Sequence, residues 1–497
     1  MTAACARILR KQKNFLKLSA AVLERTDGDR DNVMKTNLLL RTLLGLIAAL
    51  CSVMSVQVKA GEREAVKYPR YMLIDLGTLG GPNSGQVFPA RSLNNRGQLI
   101  ALSATAVPDP ECFQEDCYVH HAILQQPNGN IIELPFPPGI DATNNNSLAG
   151  DLTQNGLMGG FVENGLIDPL TDFPQLRAVV WGRDGSSATD LGTFGGNSSQ
   201  VDQVNSRGFA VGAALNSVPE NPDFASFMNF FIPAATRARA FVWQGGALQD
   251  LGTLGGHDAC AAAINNSGLI FGMSYVNSKP NDTTGLPTVH PFLWSNGQMQ
   301  DLGSLGGTLS VAGGLNVGPF GPILNNRGQA IGTSTLPGDE TWHAFLWDNG
   351  VMKDLGTAGG NVSEALAISE SGLVAGRADF SPSSPYHHAV LWNKGAITDL
   401  GVVSPCKNST ATSVNSRGEV VGGLGRCTDN SSDVDYSSAF VWKRGGEMVD
   451  LNTLVRNPTG LHLDSASSIN ARGEIAGAAV TPTGEGRSVL LIPVSDE

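Results

Sequence analysis

From residue 71 to residue 494 the chain consists of short apolar or alternating runs separated by Gly, Asn and Asp. Period-two runs of four to eight residues, bounded by turn formers, predict β-strands, and helical periodicity is absent here. The runs also recur in a fixed order. I-N-x-x-G-x-x-x-G is read at residues 204–212 (VNSRGFAVG), 264–272, 324–332, 414–422 and 469–477, with variants at 93–101 and 368–376. N-x-x-G between two apolar flanks predicts a tight hairpin, which Asn starts through its side chain and Gly ends with a positive φ. The flanks are strands a and b. A phrase of the type H/R-A-F-L-W, at residues 239–243, 290–294, 343–347 and 388–392, predicts strand c. A short run into Asp-Leu-Gly predicts strand d. DLGTLGG or a close relative begins at Asp75, Asp190, Asp250, Asp301 and Asp354, with shortened echoes at Asp399 and Asp450.

Four antiparallel strands about every 50 residues predict an all-β fold, a β-propeller of four-stranded blades. The hairpin phrase counts about eight blades, at Asn94, Asn144, Asn205, Asn265, Asn325, Ser369, Asn415 and Asn470. Seven remain possible, because unit two (residues 140–191) is long and irregular, its hairpin being read at 143–150 (TNNNSLAG). The last unit lacks a strand d, while the first DLG precedes any full unit. The N-terminal strand 71–76 (YMLIDL) is therefore expected to complete the last blade, which leaves no open sheet edge.

These phrases in combination resemble the HAF-repeat family of bacteria, described as extracellular repeat proteins. The resemblance covers residues 71–494 and implies a secreted β-repeat protein. It brings no catalytic residues. The chain departs from the pattern where His is missing in units two, three, seven and eight, and where GG is lost after Asp399 and Asp450.

Upstream, Lys35 and Arg41 precede an apolar run at 43–56, and Val58-Lys59-Ala60 suits a small-residue cleavage site. This reads as a signal peptide over 34–60, with translation from Met34 and residues 1–33 outside the true protein. Residues 61–497 then form a single propeller domain, secreted to the periplasm or beyond. Residues 1–60 hold ten basic and four acidic side chains, so the remainder has 23 and 41, a net charge near −18. That balance argues against nucleic acid and anionic membrane as partners. It leaves an extracellular protein or glycan, met by a monomer that is not membrane-embedded. Cys112 with Cys117 and Cys406 with Cys427 read as local disulfides of an oxidising compartment, with Cys260 left over.

Length varies mainly between strands b and c and between d and the next a, which share one end of the ring. Such a face commonly carries function. The b–c insertion 213–238 gathers Phe224, Phe227, Met228, Phe230 and Phe231, either as a cap folded on the ring or as an anchor for a partner. His257 is the one histidine near a d–a loop outside a repeated slot. The repeated aspartates read as structural, pinning turns through backbone N–H groups. His121, His290, His343 and His388 share a slot with Arg177 and Arg239, which suggests a hydrogen-bond donor rather than a metal ligand. Trp181, Trp243, Trp294, Trp347, Trp392 and Trp442 read as blade-seam packing. No cofactor or metal is expected, and catalytic motifs are largely missing. The function these features suggest is a secreted binding or scaffolding propeller. Its alternatives are a carbohydrate-active enzyme using loop carboxylates and a purely structural repeat.

Overall fold

The structure, a computed structural model, describes residues 66–86, 91–112, 114, 116–229, 233–315, 321–427, 436–457 and 459–495. The segment 34–60 expected to be a signal peptide, residues 1–33, Phe230 and Phe231 lie outside the described residues. The strands form seven antiparallel sheets arranged as blades, six of them four-stranded. The seventh has eight strands and divides into two four-stranded meanders joined by the single pair Gly423↔Ser465, so the ring counts eight blades. Blade 3 shows the common order: Gly195–Val204 (a), Ala210–Pro219 (b), Thr236–Gln244 (c) and Ala247–Asp250 (d).

Closure follows the expectation from the misplaced first DLG. Arg70–Asp75 pairs antiparallel with Gly486–Val494, from Arg70↔Val494 to Asp75↔Val489, as the fourth strand of blade 8. Unit two needs a correction. Its inner strand is Ser147–Leu152 and its second strand Met158–Ile167, so the hairpin lies at Thr153–Gly156 and not at Asn144. The segment TQNGLMGG keeps the phrase with Thr153 in the Asn slot, which hid it from a pattern led by Asn.

The hairpin asparagine does two jobs. In blade 3 the Oδ1 of Asn205 accepts the N–H groups of Arg207 and Phe209, which shapes the turn. Its Nδ2 donates to the carbonyl of Asn265 in blade 4. The same seam bond runs from Asn265 to Asn325, Asn325 to Ser369, Asn415 to Asn470, Asn470 to Asn94, and Asn94 to Thr153. One repeated amide thus fixes the turn and ties neighbouring blades in six of the eight blades, with Thr153 and Ser369 in its place in blades 2 and 6.

DLGTLGG is similarly explained. Oδ1 of Asp75, Asp190, Asp250, Asp301, Asp354 and Asp399 accepts the N–H of the glycine two residues on, at 2.7–2.8 Å. The following Thr or Ser donates to the last glycine's carbonyl, as Thr253 does to Gly256 at 2.8 Å. The buried seams do most of the stabilising. Val211, Ala240 and Val242 of blade 3 meet Ile264, Ile270 and Phe292 of blade 4, and each such aliphatic or aromatic side chain contributes about 1.5–3 kcal/mol by burial.

Cys112–Cys117 and Cys406–Cys427 are disulfide-bonded and Cys260 is free and buried. The two bridges are consistent with an extracellular location. Among the described residues no helix is long and apolar enough to cross a membrane.

Candidate functional site

The long b–c connections are mostly strands b and c carried beyond the ring, as the outlying pairs Pro219↔Thr236, Pro280↔Pro287 and Ile167↔Pro174 show. In blade 3 this extension holds a helix of about two turns, α1 (Pro222–Met228). Asn221 caps it by accepting from Asp223 N–H, and proline stands in the first turn, where its missing N–H costs nothing. Phe224, Ala225 and Met228 are buried against Cys260, Met273, Tyr275 and Val289 of blade 4. Tyr275 Oη donates to the Phe224 carbonyl at 3.1 Å, and the Phe227 ring stacks on Tyr275. Of the two readings of the insertion, a cap on the ring or an anchor for a partner, Phe224 takes the place of a cap residue. It is 8% exposed, because an apolar loop segment gains more from covering a blade seam than from facing water. Phe227 is half-buried in the same cap. Exposed apolar side chains occur instead on the blade 2 extension, at Leu166, Leu170 and Phe173.

The insertion brings a charged partner to His257. Glu220, at the root of α1, takes the His257 Nδ1 in a short hydrogen bond. The same Glu220 oxygen lies 3.5 Å from Arg237 Nε. Arg239 donates through Nη1 to the His257 carbonyl at 2.8 Å and pairs with Asp250 through Nε at 2.9 Å. Below them Asp258 is fully buried, and one of its oxygens accepts from Ala238 N–H. Burial pushes its carboxyl up to about 6 against the pull of that N–H, and Glu220 adds to the rise. His257 and Arg237 keep 38% and 30% of their side-chain surface. Glu220 of the insertion and the lone His257, 37 positions apart, thus join in one polar cluster on the b–c/d–a face. Sequence reasoning missed Glu220, the acidic residue where strand b leaves the ring.

The repeated donor slot resolves into pairs within a blade. His290, His343 and His388 present Nδ1 to both oxygens of Asp301, Asp354 and Asp399 at 2.9–3.0 Å. His121 meets Glu133 in blade 1. Trp181, Trp347, Trp392 and Trp442 are buried, while Trp243 and Trp294 are half-buried against the seams. Among the described residues no group of three His, Cys, Asp or Glu is placed to hold a metal ion. One carboxylate pair does converge near the b–c loops. Asn146 Nδ2 bridges Asp109 and Glu163 at 3.1 and 3.0 Å, and burial holds the Glu163 carboxyl above its usual range. Both residues are more than nine-tenths buried.

A cavity of about 210 Å³ opens at the opposite end, among the a–b hairpins. Its rim includes Asn95, Gln154, Asn266, Asn326 and Glu370, and Arg91 reaches in from the wall. Arg91 forms a two-point pair with Asp151 at 2.6 and 2.7 Å. Beside it, the inner strand of blade 3 carries Asp202 at a bulge where the partner register slips. Asp202 Oδ1 accepts from Gln200 Nε2 at 2.8 Å, while Oδ2 is enclosed without a partner. Burial pushes this carboxyl up to about 7, Gln200 pulls the other way, and Asp151 adds to the rise. An acid whose folded pKa lies above its unfolded value favours the native state at low pH. That contribution fades as pH rises from about 4 to about 7. Asp202→Asn keeps the acceptor for Gln200 and has no charge to bury. The variant is expected to exceed the parent in stability by roughly 3 kcal/mol at pH 8, with the gap shrinking toward pH 4. Urea unfolding at both pH values checks this, and a variant that loses stability equally at both would refute it.

No family model matches the chain, and no curated protein matches it. Solved structures do. The β-propeller domain of the Trilobed protease from Pyrococcus furiosus is 9% identical, with a TM-score of 0.41 over 77% of this chain and 98% of that one. Dipeptidyl peptidase 4 of Porphyromonas gingivalis is 10% identical, with a TM-score of 0.45 over 86% of this chain and 66% of its own. An oligogalacturonate lyase in complex with manganese is 11% identical, with a TM-score of 0.38 over 87% and 98%.

Proposed function

We propose that the chain is an exported binding propeller of HAF type, freed by signal cleavage near Ala60, whose ligand meets the b–c/d–a face at the seam of blades 3 and 4. The carrying observation is the joining of His257 to Glu220, which assembles part-exposed donors and acceptors at one point of the face that carries the unrepeated loops. A glycan suits this mix, because each sugar ring offers hydroxyls that both donate and accept. Replacing His257 by Ala together with Glu220 by Gln is expected to lower glycan-array binding at least tenfold, with the unfolding midpoint within a few degrees of the parent. Unchanged binding by a folded double variant would remove the site from this role.

The carbohydrate-active alternative has its own support. An imidazole whose Nδ1 is fixed by a carboxylate turns its Nε2 outward as a general base needs. Product release from a polysaccharide panel, lost in the same double variant, would favour that reading over binding alone.

A further inference from the structure

We infer that the blade 3–4 seam selects a carboxylate-bearing sugar, with Arg237 as the group that recognises the acid. This rests on the ligand face proposed above and adds its chemical class. Arg237 lies on strand c of the blade 3 extension, two residues before Arg239. The two guanidinium groups are used differently. Arg239 is held in place by Asp250 and by the His257 carbonyl. Among the described residues Arg237 has one ionic neighbour, Glu220, reached by Nε at 3.5 Å without hydrogen-bond geometry, so Nε is an enclosed donor with no acceptor among them. Glu220 spends the same oxygen on His257, and its second oxygen accepts the Asn221 N–H. The Arg237 fork therefore remains open, 30% exposed, on a chain whose charge is strongly negative. A planar guanidinium with unused donors fits a carboxylate in two-point fashion.

The surroundings decide between an acidic glycan and an acidic peptide. Glu220 stands beside the fork, Asp250 pairs with the neighbouring Arg239, and Asp258 is buried beneath Ala238. An acidic peptide would bring further carboxylates against them. A uronic acid brings one carboxylate and several hydroxyls, and the hydroxyls donate to acceptors. With Nδ1 paired to Glu220, Nε2 is the His257 ring nitrogen left to meet a hydroxyl. The ligand class that matches one open cation beside the Glu220 and His257 pair is a uronate-containing oligosaccharide.

The test uses the full exported chain and two probes, glucuronate oligosaccharides and their carboxyl-reduced, neutral counterparts, followed by calorimetry. The acidic probe is expected to bind at least tenfold more tightly than the neutral one. Arg237→Met is expected to erase that preference while weakening the neutral probe little. Arg237→Gln serves as the second variant should Arg237→Met fold poorly. Equal affinity of the parent for both probes overturns the inference, as does a preference that survives loss of Arg237. Tighter binding of a poly-glutamate peptide than of the acidic sugar overturns it as well. Binding of neither sugar is a separate result, which removes the glycan reading itself.

Discussion

Without the strand Arg70–Asp75 the chain is expected not to fold into a stable ring. Tyr71 and Leu73 are 1% and 4% exposed and pack with Val421, Leu451, Leu463, Ile475 and Val489. The Asn457 side chain brackets Leu73, accepting from its N–H and donating to its carbonyl at 2.9 Å each. Deleting the strand removes two large buried side chains and the pairing of six residues. At about 2–3 kcal/mol per side chain and about 1 kcal/mol per hydrogen bond, the loss is on the order of 10 kcal/mol, comparable with the whole stability of an ordinary domain. It also bares the edge of Gly486–Val494 to other chains. Thermal unfolding and size-exclusion chromatography of a chain begun after Asp75 should show no cooperative transition and aggregated material. A milder probe is Leu73→Ala, expected to cost about 3 kcal/mol. A deletion variant melting within a few degrees of the parent would show that the ring does not need this closure.

Much of this architecture was legible because each repeated phrase encodes a backbone requirement. The order of the phrases gave the strands, and the orphan DLG at Asp75 gave the closure. Reading failed where another residue type met the same requirement. Thr153 replaces the turn asparagine in blade 2, and Arg487 of the last blade faces Asp75 in the donor slot at 3.9 Å. It failed again where spacing alone held the information. Gly256 and Asn265 are nine positions apart but Gly307 and Asn325 eighteen. Within that longer stretch the Gly321 carbonyl accepts from Gln203 of blade 3, across the intervening blade 4. The candidate site was half legible. His257 and the insertion stood out because neither belongs to the repeat. That Glu220 joins them depends on how far strands b and c extend, which periodicity does not state.

The last glycine of the hairpin phrase is expected to be among the least replaceable residues in the chain. At Gly422 a Cβ would run into the Thr410 carbonyl and the Phe440 ring. The same obstruction meets Gly212 at Gln200, Gly272 at Cys260 and Gly376 at Glu364, always from an inner-strand carbonyl. Each of those carbonyls lies two residues before a register slip, at Asp202, Ala262, Leu366 and Thr412. The bulge presses strand a onto strand b at a place where b has no side chain, while an aromatic ring of strand c stands over the same spot in blades 4, 6 and 7. These glycines are therefore retained for close approach and not for a left-handed φ. Gly422→Ala must push backbone against backbone, which a packed seam resists, so its cost should reach about 3 kcal/mol or more. Gly350, in an exposed c–d turn, supplies the contrast. Its φ is +84° and nothing lies within 4 Å of an added Cβ, so Gly350→Ala meets only left-handed strain of about 1–2 kcal/mol. Urea unfolding of the two variants should separate them clearly. A Gly422→Ala variant as stable as Gly350→Ala would mean that the bulge yields, and that close approach is not what holds glycine in the repeat.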